Sequence, residues 1–75
     1  MPVPKVAMLA ADGVERRDVE ALRRALEDAD RRVDLVAVQR GEVWAMDGLD
    51  KAATFPVDVT LRDARAGSYE SLVIP

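Results

Sequence analysis

KVAMLAADGVE, residues 5–15, is the stretch from which the rest of the fold follows. Residues 6–10 form a continuous apolar run, which is typical of a strand buried on both faces of a parallel sheet. The pair Asp12-Gly13 predicts a tight turn, with Gly13 in a backbone conformation that favours glycine. Glu15 then stands at the expected entrance of a helix. The stretch therefore predicts a strand, a turn and a helix start.

The helix is expected to run from residue 16 to about residue 30. Its apolar residues recur at the spacing of one helix face; they are Val19, Leu22, Ala25, Leu26 and Ala29. Its other face has oppositely charged residues four positions apart, a spacing at which ion pairs stabilise a helix. The expected pairs are Glu20–Arg24, Arg23–Glu27 and Glu27–Arg31. Asp30 is the expected stop, because aspartate tolerates the left-handed region.

Two more buried strands are expected, at residues 33–38 (VDLVAV) and 72–74 (LVI). Strand, helix and strand make a βαβ unit with parallel strands and a right-handed crossover. Between the strands at 33–38 and 72–74, the sequence predicts a hairpin strand at 43–45, a turn at Asp47-Gly48, an extended segment at 54–56 and a short strand at 57–59. A helical turn at 61–64, begun by Thr60 or Asp63, and a loop at Gly67-Ser68 complete the layout. The fold class expected is α/β.

This layout leaves apolar surface to be covered. Three apolar strands imply a sheet buried on both faces, and the sequence predicts one substantial helix. The other face would expose more contiguous apolar surface than a monomer normally tolerates. We therefore expect the rest of a larger domain, or another polypeptide, to cover it.

Composition excludes several classes of protein. The 75 residues are 49% hydrophobic, which suits a globular core better than a disordered segment. A net charge of −3 with dispersed bases argues against nucleic acid as a partner. Without Cys or His there is neither a disulfide nor a structural zinc site. No apolar run has the length of a membrane span, so no membrane partner and a cytoplasmic location are expected.

Glu15 is the leading candidate for a functional residue. It lies where open α/β sheets bind ligands, at the carboxyl end of a strand, and a carboxylate there can hydrogen-bond a nucleophile or a substrate. The alternative is that Glu15 only complements the dipole of the helix, because acids are common in the first turn.

Cofactor and metal sites find no support in the motifs. Gly13 stands alone rather than in a G-x-G-x-x-G pattern, Asp34 lies inside its strand, and no P-loop occurs, so dinucleotide and nucleotide binding are rejected. The spacing of Asp12, Asp47, Asp50 and Asp58 matches no calcium loop. These aspartates are expected to form turns or to be solvated. We predict neither a cofactor nor a metal.

Taken together, these segments resemble the ThiJ/PfpI superfamily. The resemblance rests on KVAMLAADGVE, the helix, the VDLVAV strand, the G-x-V that begins at Gly41, and LDKAATFPVDVTLRDARAGSYESLVIP at 49–75. The group includes intracellular protease I-like proteins and has the class I glutamine amidotransferase-like fold. The resemblance implies a flavodoxin-like three-layer αβα sandwich with a parallel sheet. Residues 1–75 would be the N-terminal part of this single domain, with the remainder outside the chain.

The resemblance also implies a function. In the family, a later strand ends in a strained elbow that carries a Cys, and the acid that hydrogen-bonds this Cys corresponds to Glu15. Asp12 and Gly13 would form the turn that shapes the substrate site. The parent protein would be a cysteine-dependent hydrolase of the peptidase, deglycase or glyoxalase type, related to stress, and this chain alone would be inactive. The expected partners are the C-terminal remainder and further copies, as a dimer or hexamer.

Departures from the family pattern bear on substrate preference and on the fine geometry of the site, and two other readings of the function stay open beside the enzyme. Arg16 and Arg17 follow Glu15 where the family often has a second acid, and Asp30 replaces the usual glycine. The first alternative is a non-catalytic binding or oligomerisation module, as in the C-terminal domain of large catalases. The second is a free-standing βαβ unit that dimerises to bury its sheet. A Cys at the elbow would favour the enzyme over the module.

Overall fold

The computed structural model describes residues 4–75, which form two small sheets and one α-helix. Residues 1–3 of the predicted 1–75 domain lie outside the described part. The elements in chain order are β1 (Lys5–Leu9), β2 (Val14–Glu15), α1 (Arg16–Asp28), β3 (Arg32–Ala37), β4 (Glu42–Asp47), β5 (Asp50–Pro56), β6 (Val59–Thr60), a 3₁₀ turn (Ala66–Ser68) and β7 (Ser71–Val73). No helix of this part has the length and apolar character needed to cross a bilayer.

The main sheet has the strand order β6-β3-β1-β7, and all its neighbouring strands are parallel. The three buried strands predicted from apolar runs are β1, β3 and β7, each displaced by about one residue from its predicted bounds. The chain passes from β1 to β3 on one side and later to β7 on the other side of β1. This is the order of the first strands of a flavodoxin-like sheet, and the predicted α/β fold class is confirmed.

Helix α1 confirms the predicted helix and ends two residues before the expected stop, with Ala29 as its cap. Asp30 has a φ of 60°, in the left-handed region where the sequence predicted it. The Arg31 N–H donates to the carbonyl of Leu26 at 2.9 Å, and the Asp30 N–H donates to that of Glu27 at 3.0 Å. These two bonds form a Schellman motif, which satisfies the last carbonyls of the helix.

The face that α1 buries differs from the predicted one. Val19 is fully buried and Leu22 and Leu26 are half-buried as expected, but Ala25 and Ala29 are exposed. Arg23 is half-buried instead, with its guanidinium 5.9 Å from the centre of the Phe55 ring. The buried stripe is therefore rotated toward Phe55 of β5. An arginine can occupy this position because its aliphatic stem packs on apolar surface while its charge stays in water.

None of the three ion pairs predicted along α1 forms among residues 4–75. Arg31 pairs with Glu70 at 3.1 Å rather than with Glu27, and Arg23 lies over Phe55. Arg23 and Arg31 thus take tertiary partners, and Glu20 pairs with Arg16 rather than with Arg24. A surface pair four residues apart contributes only about 0.3–0.5 kcal/mol, so such an exchange costs little.

The second sheet is a hairpin of β4 and β5, with the two-residue β2 parallel to β4. The turn predicted at Asp47-Gly48 is confirmed, and Gly48 has a φ of 65° at the first position of a two-residue loop. Glycine at that position is typical of a type II′ hairpin turn. The hairpin is longer than predicted, and a register shift leaves Ala52 without a partner in β4. The sequence did not predict β2.

The strand predicted at 57–59 lies later in the chain, at β6. Asp58 explains the displacement: its carboxylate accepts the Leu35 N–H at 2.7 Å, and its own N–H donates to the Leu35 carbonyl at 2.9 Å. Thr60 then begins the predicted helical turn, because its carbonyl accepts the Ala64 N–H at 2.9 Å. The loop expected at Gly67-Ser68 is the 3₁₀ turn.

The two faces of the main sheet are covered unequally. Val6, Met8 and Leu35 are at most 1% exposed on the face against which α1 packs. The opposite face, which we call the open face, has Ala7, Leu9, Val36 and Leu72 around an apolar groove of about 330 Å³. Residues 61–69 cover part of it. Ala7 and Val36 are buried there, whereas Leu72 on the edge strand β7 is 60% exposed, so the face is covered at its centre and open along β7.

Candidate functional site

A cleft lies at the carboxyl edge of the main sheet. Because all four strands are parallel, their carboxyl ends meet at this edge. The next strands along the chain lie on opposite sides of β1, with β3 on one side and β7 on the other. Open α/β sheets bind ligands at such a point. The cleft has a volume of about 490 Å³. Its lining comes from the end of β1 and the start of β2 and from the residues that follow β3, β6 and β7: Leu9, Ala10, Ala11, Asp12, Gly13, Val14, Val38, Leu61, Ile74 and Pro75.

The predicted Asp12-Gly13 turn forms one wall of this cleft. The Val14 N–H donates to the Ala11 carbonyl at 3.1 Å, and Gly13 has a φ of 95° at the third position of the turn, as a type II turn requires. The Asp12 carboxylate accepts the Trp44 N–H at 2.8 Å, and the Gly13 N–H donates to the Trp44 carbonyl at 2.8 Å. The turn is thus fixed to β4, and its contact with a substrate stays a prediction.

Glu15 does not line the cleft; it follows Val14, the last lining residue of this segment. Glu15 is the last residue of β2, opposite Met46 of β4, and it occupies the cap position before α1 with an extended backbone. Its side chain makes no capping hydrogen bond. The residue is half-buried, and within residues 4–75 its carboxylate has neither a hydrogen-bond donor nor an ion-pair partner. Such a carboxylate retains its capacity to accept a hydrogen bond from a ligand.

Arg16, the first residue of α1, has two acidic partners. One guanidinium nitrogen donates to the Glu20 carboxylate at 2.8 Å, and another donates to the Asp47 carboxylate at 3.4 Å. The sequence analysis treated Arg16 only as a departure from the family pattern. The spacing of Arg16 and Glu20 was visible in the sequence, whereas Asp47 lies 31 positions away and no local pattern indicated the contact.

A separate polar cluster joins β1, β3 and the segment before β7. The Tyr69 hydroxyl donates to the Asp34 carboxylate at 2.8 Å, and the Lys5 ammonium lies 3.3 Å from the same oxygen. Burial, the hydrogen bond to Asp34 and the negative charges of Asp34 and Asp58 raise the pKa of Tyr69 to about 12. This cluster fixes residues 61–69 on the open face and lies away from the cleft.

The described residues provide carboxylates near the cleft and no other acid–base group. No group of three or more acidic, His or Cys side chains in residues 4–75 is placed to hold a metal ion. The chain has no Cys and no His, so its chemistry at the cleft is that of a carboxylate beside a rigid turn. A carboxylate of this kind can orient or hold the proton of a nucleophile that another segment supplies.

Comparison with known proteins identifies the relatives of this arrangement. The model of the DJ-1/PfpI family matches residues 4–75. The match includes the strand, the turn and the acid at the cleft, together with the hairpin and β7. No curated protein matches the chain.

Proposed function

The chain belongs to the DJ-1/PfpI family, and from this premise we propose that it supplies the acid half of a cysteine-dependent hydrolase site. Glu15 is the acid partner of a nucleophilic Cys, and Asp12-Gly13 is the turn that shapes the substrate site. The Cys belongs to the C-terminal remainder of the domain, because the chain itself has none. The chain without this remainder is inactive.

The observation that supports this proposal is the state of Glu15. Glu15 stands at the junction of β2 and α1, directly after the turn that lines the cleft, and within residues 4–75 its carboxylate has neither a hydrogen-bond donor nor an ion-pair partner. This carboxylate can therefore accept a hydrogen bond from a reacting group. An acid that only complemented the helix dipole would be equally effective fully exposed in the first turn, where Asp18 already stands.

The proposed mechanism is a proton exchange between the thiol and the acid. The Glu15 carboxylate accepts a hydrogen bond from the Cys thiol and takes its proton as the sulfur attacks a carbonyl carbon of the substrate. The thiolate is the nucleophilic form, so an acceptor at this position raises reactivity. A cleft of about 490 Å³ suits a small substrate or one side chain of a larger one. Peptide, deglycase and glyoxalase-type reactions all meet this description.

The open face supports the proposed partner. Leu61, Leu72 and Ile74 are each more than half exposed, and their burial by the C-terminal remainder would remove this apolar surface from water. In this proposal the complete domain is a cytoplasmic, stress-related protein that assembles further into a dimer or hexamer.

A second candidate is a non-catalytic module of the same family. The absence of Cys and His from this chain fits a binding or oligomerisation role as well as it fits half of an enzyme. The two functions differ in the residue at the elbow. The intact masses of the polypeptides in the purified material identify the complementary chain and hence this residue, and a Cys favours the enzyme.

The test of the acid role compares two variants in the complex of this chain with its C-terminal complement. Glu15→Gln is expected to lower kcat/KM for a peptide or an aldehyde substrate by about 10²–10⁴-fold, the usual contribution of an acid–base group. Glu27→Gln removes an exposed acid from the same helix and is expected to leave kcat/KM unchanged. Equal activities of the two variants would contradict the role proposed for Glu15.

A further inference from the structure

We propose that Arg16 is a positioning residue whose two acidic partners keep its charge away from Glu15. The proposal rests on the role proposed for Glu15 and adds the means by which that carboxylate remains unpaired. Glu20 and Asp47 hold the guanidinium of Arg16 between helix α1 and strand β4. We call this three-residue arrangement the Arg16 clamp.

The register of the small sheet explains why the clamp lies here. Strand β2 pairs in parallel with β4, with Val14 opposite Ala45 and Glu15 opposite Met46. Arg16 and Asp47 are the next positions on the two segments, so their ion pair continues the pairing by one residue as β2 becomes α1. The contact with Glu20, four residues further on, directs the guanidinium along the helix.

The charge of Arg16 matters because Glu15 is its neighbour in the chain. A cation within about 4–6 Å lowers the pKa of a carboxyl group by about 1–3 units, and a carboxylate in an ion pair is a poorer acceptor for a thiol proton. Two acids that occupy the guanidinium prevent such a pair. Glu15 then keeps the free carboxylate that the proposed mechanism requires.

Other charged groups near Glu15 do not replace the clamp. On the packed segments these groups are Arg17, Asp18, Asp12 and Lys51, in addition to Arg16, Glu20 and Asp47. The ammonium of Lys51 is held 3.3 Å from the centre of the Trp44 ring. Arg17 is exposed, and Asp12 is bonded to the Trp44 N–H. Arg16 is therefore the cation whose release would affect Glu15 most.

The experiment measures the pKa of the Glu15 carboxyl group by ¹³C NMR in the 75-residue chain. Releasing Arg16 with the double variant Glu20→Gln/Asp47→Asn is expected to lower the pKa of Glu15 by at least about 0.5 unit, as a cation approaches it. Arg16→Gln is expected to raise the pKa of Glu15 more in the double variant, where the guanidinium is released, than in the unaltered chain, where the two acids hold it away. Asp47→Glu, which retains an acid, is expected to leave the pKa as in the unaltered chain.

Two results would overturn the proposal. If Arg16→Gln raises the pKa of Glu15 equally in the unaltered chain and in the double variant, Arg16 is not released, and the fall in the double variant comes from the removal of two negative charges. If the pKa of Glu15 is the same in all variants while the melting temperature falls, the clamp is only structural. Amide spectra confirm that each variant is folded. If the double variant does not fold, the single variants Glu20→Gln and Asp47→Asn are used instead, and each is expected to lower the pKa of Glu15 in the same direction by a smaller amount. None of these readouts needs a nucleophile, so they are independent of the activity test on Glu15.

Discussion

Asp30 is the one residue other than glycine with a positive φ among residues 4–75, and it ends α1 in a left-handed conformation. This conformation costs residues with a β-carbon about 1–2 kcal/mol, although aspartate less than most. Its negative charge also lies at the end of the helix, where the dipole disfavours an anion. We expect Asp30→Gly to raise the free energy of unfolding by about 0.5–1 kcal/mol, measured by urea denaturation.

Asp30→Asn is the control that separates the two causes. Asparagine tolerates the left-handed region and has no charge, so its effect reports the helix dipole alone. A stability of Asp30→Gly no higher than that of Asp30→Asn would show that the backbone of Asp30 is not strained.

Tyr69 predicts a dependence of stability on alkaline pH. Its pKa is raised to about 12 in the folded chain, from the ordinary value of 10.0. Between these values the unfolded state loses the phenol proton while the folded state retains it. The stabilisation is therefore complete below pH 10 and is lost as the pH rises toward 12. The chain has a single tyrosine, so the absorbance of tyrosinate measures this pKa directly.

Tyr69→Phe isolates this contribution from the lysines that titrate in the same range. The variant lacks the phenol, so the difference in unfolding free energy between it and the unaltered chain is expected to shrink between pH 10 and pH 12. A constant difference over this interval would contradict the raised pKa.

At the scale of elements, the hairpin of β4 and β5 depends on the turn after β1. The Asp12 carboxylate accepts the Trp44 N–H at 2.8 Å and so joins that turn to β4. We expect Asp12→Ala to lower the free energy of unfolding by about 1–2 kcal/mol, because the N–H loses a charged acceptor. The same substitution is expected to speed up hydrogen exchange at the Trp44 amide.

Asp12→Asn is the matched control, because its side-chain oxygen can accept the same hydrogen bond without a charge. It is expected to retain most of the protection at Trp44. Equal exchange rates in Asp12→Ala and the unaltered chain would show that Asp12 does not hold the hairpin.

The elements predicted well are those whose signal is local. The strands β1, β3 and β7 are short apolar runs, and α1 has a 3.6-residue period, so each was identified from its own residues. Strand β2 has two residues and exists only through its pairing with β4, which no local pattern contains. The strand expected at 57–59 was displaced because the Asp58 side chain binds the backbone of β3, another contact between distant parts of the chain.

The candidate site also has features that a local signal predicted and features that depend on contacts between distant parts of the chain. Glu15, Asp12 and Gly13 were proposed from their position after a buried strand and from the family resemblance. The structure puts the turn in the wall of the cleft, whereas Glu15 follows the last lining residue, Val14, and is not itself part of the lining. The contact of Arg16 with Asp47 was not predictable, because it depends on the register between β2 and β4. The roles of Glu15, Asp12 and Gly13 stay predictions, and the sequence did not indicate the contacts that hold the turn and Arg16 in place.

For the whole molecule, the open face is the feature that relates the fold to the proposed partner. On one side α1 and the hairpin bury the sheet, and on the other residues 61–69 leave a groove of about 330 Å³. The groove and the cleft at the carboxyl edge share Leu9 and Leu61, so apolar surface continues from one to the other. A complement that covers the open face therefore also closes one side of the cleft.

Leu72 gives the test of this arrangement. It lies on β7 in the open face and is 60% exposed, so Leu72→Lys is expected to change the stability of the isolated chain little. Complete burial of a leucine contributes about 1.5–3 kcal/mol. Loss of this burial is expected to weaken binding of the C-terminal complement by about tenfold or more, measured by isothermal titration calorimetry.

Leu49→Lys provides the matched control for Leu72→Lys. Leu49 is 97% exposed at the tip of the β4–β5 hairpin, and it lines neither the groove nor the cleft. The same change of leucine to lysine there adds the same charge without touching the open face, so binding of the complement is expected to be unaffected. If both variants weaken binding equally, the added charge is the cause, and if neither does, the complement binds elsewhere. Only a loss confined to Leu72→Lys supports the open face as the binding surface for the rest of the domain.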